Sequence, residues 1–207
     1  MNTRQSYDAV ADEYVRRIYD ELQHKPLDRQ LLDRLDAVAN GGVICDIGCG
    51  PGHVARFLHE HGANVCGIDL SDAMVVRARQ LNPGIEFRQG DMMALDVADG
   101  SFAGIAAFYS LIHIPKTQMI AALKELHRVL SPGGVLLAAF HLGTETLHLD
   151  EWWEHKVSVD FHFFQVLEMQ AWMKATGFEI ADAIERDPYP EIEHQSRRGY
   201  IFARRVG

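Results

Sequence analysis

Apolar residues in the first forty positions recur at steps of three and four. Val10, Tyr14 and Ile18 share one face of a predicted helix from Asp8 to Tyr19. Past Pro26, the residues Leu27, Leu31, Leu32, Leu35 and Val38 repeat that spacing, and Gly41-Gly42 ends a second helix. The pattern then changes. Val43 to Ile47 is a short, continuously apolar run, as expected for a parallel strand covered on both faces. Further strands are predicted at Ala63 to Ile68, Ile85 to Gln89, Gly104 to Phe108 and Val135 to Phe140. Between them lie helical patterns at His53 to His61, Ser71 to Leu81 and Lys116 to Leu130, with a hard turn at Ser131-Pro132-Gly133-Gly134.

Residues 141–165 are rich in His and aromatics and show no clean period. A helix from Leu167 to Thr176 follows, stopped by Gly177, and strands are predicted at Phe178 to Ile184 and Tyr200 to Arg204. Alternating strands and helices argue for an α/β fold, a doubly wound and mostly parallel sheet with helices on both faces. With 207 residues the chain fits one domain around a full core. Its parts are a helical cap (1–41), a ligand-binding core (42–140), an insertion or lid (141–165) and a C-terminal helix with strands (166–207). The lid is expected to close over the site together with Tyr7 to Tyr14.

Composition narrows the partners. The formal net charge is −9, which disfavours a nucleic-acid backbone as ligand. No apolar signal region or membrane-length apolar run is present, so a cytoplasmic protein with no membrane partner is expected. Oligomeric state is not readable. The three cysteines include no CxxC pair, and the His-rich stretch matches no zinc spacing, so no metal is expected.

Ligands of such sheets bind beyond the carboxyl ends of the strands. There stands Asp46-Ile47-Gly48-Cys49-Gly50-Pro51-Gly52, whose glycines permit a sharp turn and close approach of a ligand to the backbone. Asp69 ends the second strand, where a carboxylate accepts both hydroxyls of a ribose. Asp91 follows the third strand, placed to accept from an exocyclic adenine amine while Met92 packs on the ring. One aspartate alone reads as a turn or cap residue. Three in register on consecutive strand ends argue for a common ligand.

These segments, with Gly67-Ile68-Asp69, Gly90-Asp91-Met92 and Leu130-Ser131-Pro132-Gly133-Gly134, resemble the successive motifs of class I S-adenosylmethionine-dependent methyltransferases. Tyr7-Asp8-Ala9-Val10-Ala11-Asp12-Glu13-Tyr14 is similar to the N-terminal segment of their small-molecule members. The resemblance implies a seven-stranded sheet with its last strand antiparallel. It assigns Gly48, Gly50 and Gly52 to the methionine end of S-adenosyl-L-methionine, Asp69 to its ribose and Asp91 to its adenine. Tyr14 would close over it, and Asp46, Cys49, Leu70, Phe108 and Ser110 complete the expected cofactor site. The expected reaction is methyl transfer to a small-molecule acceptor, at oxygen or nitrogen in preference to sulfur or carbon.

In-line displacement from an activated sulfonium needs alignment above all, and a base only where the acceptor must lose a proton. His113 and His141, after the fourth and fifth strands, are the candidates for that base. A packed helix-entry residue and a backbone-bonded loop residue are their structural alternatives. Tyr189, Glu191, Glu193, Arg197 and Arg198 approach the last strand and are placed to reach the same mouth. Two other functions compete. A nicotinamide-dependent oxidoreductase would want a third glycine at position 53, which is His53. A non-catalytic S-adenosylmethionine-binding protein would carry the same motifs.

Overall fold

A computed structural model describes residues 1–207. Helix α1 (Thr3–Ile18) starts earlier than the apolar spacing predicts, because Asn2 and Gln5 form a reciprocal capping box at its N-terminus. Helix α2 (Pro26–Ala39) begins on a proline and ends at Asn40 in the left-handed conformation. The β/α succession is then β1 (Ile44–Ile47), α3 (His53–Glu60), β2 (Val65–Asp69), α4 (Asp72–Leu81) and β3 (Glu86–Gln89). It continues with β4 (Phe102–Phe108), α5 (Met119–Val129) and β5 (Leu130–His141). The chain closes with β6 (Thr146–Trp152), β7 (His155–His162), α6 (Val166–Ala175), β8 (Phe178–Arg186) and β9 (Arg198–Arg205).

Seven strands form one sheet in the order β3-β2-β1-β4-β5-β9-β8. All run parallel except β9, which pairs antiparallel with β5 and β8 on either side. Alternation along the strands sorts the core into two layers. Cys45, Ile47, Ile105 and Ala107 face α5 and α6, while Ile44, Ala106 and Phe108 face α2, α3 and α4. Leu32 and Leu35 on α2 are fully buried against that second layer, each worth about 1.5–3 kcal/mol of transfer free energy. Strand order reverses between β1 and β4, and the crevice at their carboxyl ends is where a ligand is accommodated.

Residues 141–165 depart from the aperiodic reading, because most of the segment is a β-hairpin of β6 and β7. Leu147 and Leu149 on one strand and Val157, Val159 and Phe161 on the other do alternate. A register shift between Leu149 and Glu151 breaks that alternation. The two-residue turn is also unmarked, since Trp153 and Glu154 adopt φ of 51° and 66° where Asn-Gly would be the usual signal. The hairpin is closed at its base, where Phe164 N–H donates to His141 O and Gly143 N–H to Phe164 O.

The hairpin rests on α1. Val10, Val157 and Val159 make a small separate core, flanked by Tyr7, Trp152 and Phe161. Ser6, fully buried, accepts from the Ser158 amide at 2.9 Å and donates to the Asn2 carbonyl at 2.9 Å. On its other side α1 is tied to α4, where Asp8 Oδ1 accepts from the Ser71 hydroxyl (2.6 Å) and the Ala73 amide (3.2 Å). Ser6→Ala leaves the partly buried Ser158 amide without its acceptor. Urea unfolding should show a loss of about 1–3 kcal/mol, with faster hydrogen exchange concentrated in residues 155–162.

Candidate functional site

The glycine loop after β1 is shaped by what lies behind it. Gly48 has φ of 70°, and a Cβ there would stand 2.3 Å from the Cβ of Ser110 at the end of β4. Gly52 has φ of 83°, and a Cβ would collide with Phe87 and Asn82. Gly48 and Cys49 donate their amides to Ile68 O, so the loop is sewn to the end of β2.

Asp69 completes that seam. Its Oδ2 accepts from the Gly50 amide at 2.7 Å and its Oδ1 from the Ser71 amide at 2.8 Å. Burial nonetheless pushes its carboxyl up to about 6. Asp46 is fully enclosed, and its Oδ2 accepts from the Ala55 amide in the first turn of α3 at 3.1 Å. Burial raises it to about 8.

A narrow cavity of about 140 Å³ opens at this point. Gly48, Gly50, Asp69 and Leu70 line it from the loop and β2; Asp91 and Met92 from the end of β3; Phe108, Ser110 and His113 from beyond β4. Tyr14 covers it from α1, its ring 3.7 Å from where a Gly50 Cβ would be. Asp46, Cys49 and Gly52 do not line it; they lie beneath the loop and support it. Ser110 Oγ is buried with no hydrogen-bond partner in the protein, a polar group at the cavity wall free to bond water or a ligand. An adenosine-bearing ligand fits this set: a carboxylate for hydroxyls, apolar Leu70 and Met92 for a base, and a loop without side chains for close approach.

A second, larger cavity of about 870 Å³ adjoins it, and Tyr7, Tyr14, Glu21 and Tyr109 border both. His141 lies in this second cavity and His113 in the first. His113 has both nitrogens engaged. A carbonyl only accepts, so Nδ1 donates to Asp160 O (2.9 Å) and Nε2 accepts from the Tyr7 hydroxyl (2.7 Å). This ring clasps α1, the turn after β4 and the hairpin together. Burial holds it down at about 4. His141 bonds Ser196 Oγ through Nδ1 (2.9 Å) and stacks on Phe163, leaving Nε2 without a protein partner. Burial, reinforced by Arg198, His194 and Lys25, pushes it down to about 2. Both imidazoles are neutral at physiological pH.

Three residues at this junction carried no marker in the sequence. Glu21 sits in a one-turn 3-10 helix between α1 and α2, 3.5 Å from His53 Nε2, and pairs with Lys25 at 2.8 Å. Burial pushes its carboxyl up, but His53 and Lys25 outweigh that and hold it at about 2. Lys25 lies in the link to α2, outside any periodic element. Tyr109 adopts φ of 52°, uncommon for a non-glycine residue, directly after β4. Of the acidic and basic residues expected near the mouth, Glu191, Glu193 and Arg198 line the large cavity; Arg197 pairs with Glu185 and Asp187 outside it.

Because His113 is held below its unfolded value, the native state binds fewer protons than the unfolded chain between about pH 6.5 and 4. Its contribution to stability is present above pH 6.5 and is lost as pH falls towards 4. Urea midpoints for wild type and His113→Gln should therefore differ most near pH 7 and converge near pH 4.5. A constant difference would separate the clasp from protonation.

Residues 44–134 match the family model described as a methyltransferase domain. The ubiquinone biosynthesis O-methyltransferase of Pseudomonas aeruginosa is 31% identical over 173 residues, covering 74% of this chain and 72% of that protein. The 2-methyl-6-phytyl-1,4-hydroquinone methyltransferase of Synechocystis is 39% identical over 109 residues, covering 51% of this chain and 34% of its own length. The chain spans about a third to a half of the length of several curated relatives it matches. Among solved structures, a SAM-dependent methyltransferase of Methanosarcina mazei superposes with a TM-score of 0.71 at 20% identity, over 79% of this chain and 92% of its own, which speaks to the fold. Motif order, sheet topology and the P. aeruginosa relative agree, and the chain belongs to the class I S-adenosylmethionine-dependent methyltransferases.

Proposed function

We propose that this protein transfers a methyl group from S-adenosylmethionine to a small-molecule acceptor at oxygen or nitrogen. The observation that carries the reading is the pair of cavities meeting at Tyr7, Tyr14, Glu21 and Tyr109, one lined by the cofactor motifs and the other roomy enough for an acceptor. Relatives named for a hydroquinone, malonyl-acyl carrier protein and ubiquinone biosynthesis support an acceptor of modest size.

When bound, the cofactor supplies an already activated methyl sulfonium, so this chain has to bind, align and exclude water. Asp69 takes the ribose hydroxyls, Asp91 the adenine amine, and the Gly48–Gly50 backbone leaves room for the methionine end. Tyr7 and Tyr14 lie over the junction, where aromatic faces favour a cation. His141, with Nε2 uncommitted, is the better placed of the two histidines to accept a proton; His113 would first have to give up the Tyr7 hydroxyl. The cofactor cavity is smaller than the ~300 Å³ typical of ligand pockets, so α1 and the hairpin have to part for entry and close again afterwards.

Labelled-methyl transfer into small-molecule extracts, RNA and protein, followed by mass analysis of the product, tests the assignment. Label confined to small molecules is expected, and His141→Gln should lower the maximal rate by ~10²-fold with cofactor affinity retained. Label appearing only in RNA or protein would overturn it. Calorimetry with S-adenosylhomocysteine gives a second check. Asp69 holds a proton below about pH 6, so affinity should fall as pH drops through that value. Asp69→Asn should bind ~1–3 kcal/mol more weakly at pH 7.5 and lose most of that dependence. In the same samples, residues 3–18 and 146–162 should gain exchange protection on binding; unchanged exchange there means a fixed cap.

A further inference from the structure

The large cavity differs in character from one end to the other. Tyr7, Tyr14, Trp152, Trp153 and Phe161 form aromatic walls, and the rim residues Leu147 and Ile192 are 41% and 40% exposed. At the floor lie two cations, Lys25 and Arg198, only 3% and 2% exposed. They flank the Tyr109 ring, Lys25 Nζ at 5.3 Å and the Arg198 guanidinium carbon at 5.4 Å from its centroid. His141 stands against the same ring at 5.3 Å and His194 beside it at 5.8 Å.

Lys25 has a close partner in Glu21 at 2.8 Å, whereas Arg198 is incompletely compensated. The Glu193 carboxylate is gripped by Arg186 through both oxygens. Its Oε2 also lies 3.5 Å from Lys25 Nζ and 3.4 Å from Arg198 Nε. Both distances exceed the ~2.7–2.9 Å of a good charge-assisted bond. Arg198 spends its terminal nitrogens on the Ser196 and His194 carbonyls, and its buried Nε has no hydrogen-bond partner at all. Glu21, the other carboxylate on Lys25, is shared with His53. His141 Nε2 is a further uncommitted atom at this end. A buried, unpartnered cationic donor is costly unless a ligand supplies the acceptor.

We propose that the acceptor is an anionic aromatic molecule, a carboxylate on a flat ring, whose carboxylate is received by Arg198 Nε and Lys25 Nζ while its ring lies along the Tyr7–Trp152–Phe161 wall. This rests on the larger cavity being the acceptor site. A carboxylate suits the floor because it offers two oxygens in one plane to two separate donors. An amine would meet Lys25, Arg198 and Arg17, with the carboxylates Glu21 and Glu193 already paired and only the exposed Glu191 free. Burial is the main cause of the depressed basicity of His141, and Arg198, His194 and Lys25 add to it. An anion set against His141 raises its basicity, so binding would prepare that imidazole to take a proton.

The test uses the whole chain and three probes on one frame: 2-naphthoate, 2-naphthamide and 2-naphthylmethylamine. Trp152 and Trp153 on the cavity wall report binding through fluorescence, with calorimetry alongside. The carboxylate should bind at least tenfold more tightly than the amide, with the amine weakest, and its advantage should shrink in high salt. Lys25→Met should erase most of the preference, and Arg198→Lys should retain more of it than Arg198→Met. Equal binding of carboxylate and amide by the wild type, preference for the amine, or binding of none of the three overturns the proposal without recourse to any variant. S-adenosylhomocysteine affinity is measured in the same samples. Loss of cofactor binding with the carboxylate preference intact counts against the methyl-transfer reading and leaves the anion site standing.

Discussion

Two backbone amides held by one carboxylate organise this molecule. Asp69 takes the Gly50 amide on one oxygen and the Ser71 amide on the other, which joins the glycine loop to the start of α4 across the end of β2. Ser71 in turn caps α4 and donates to Asp8, so the same chain of bonds reaches α1. Because both oxygens already accept, the carboxylate is held in a fixed orientation at the cavity wall. The cost is a buried charge, visible in the raised carboxyl, and it is borne because the amides fix the geometry.

Around that point the structure divides into a part that sequence periodicity reveals and a part it conceals. Through Phe140, each strand except the edge strand β3 is an apolar run, and the helices carry a repeating face, because both sides of the sheet interior must be buried. The aspartates and glycines stand out there because they interrupt such runs. Past Phe140 the hairpin packs only one face, carries a register shift and turns on Trp153-Glu154, so no local rule marks it. Lys25, Glu21 and Tyr109 were hidden for another reason. Their positions follow from long-range packing among the α1–α2 link, the end of β4 and the segment before β9, which no window along the chain samples.

His113 shows how the two parts are joined. Its ring donates to the hairpin through Asp160 and accepts from α1 through Tyr7, while its backbone belongs to the turn after β4. A neutral imidazole donates through one ring nitrogen and accepts through the other without placing a charge beside the aromatic cluster. Its role as a clasp and its burial are the same fact seen twice.

The hairpin joins the sheet only through its closed base, where Phe164 and His141 bond each other, and its remaining contacts are made with α1 and the turn after β4. Such an appendage is a replaceable cassette. Neither β6 nor β7 pairs with a strand of the seven-stranded sheet, and the glycine loop takes its backbone bonds from β2. Some twenty contiguous positions can thus reshape one wall of the larger cavity, while the glycine loop and its seam to β2 are built from other residues.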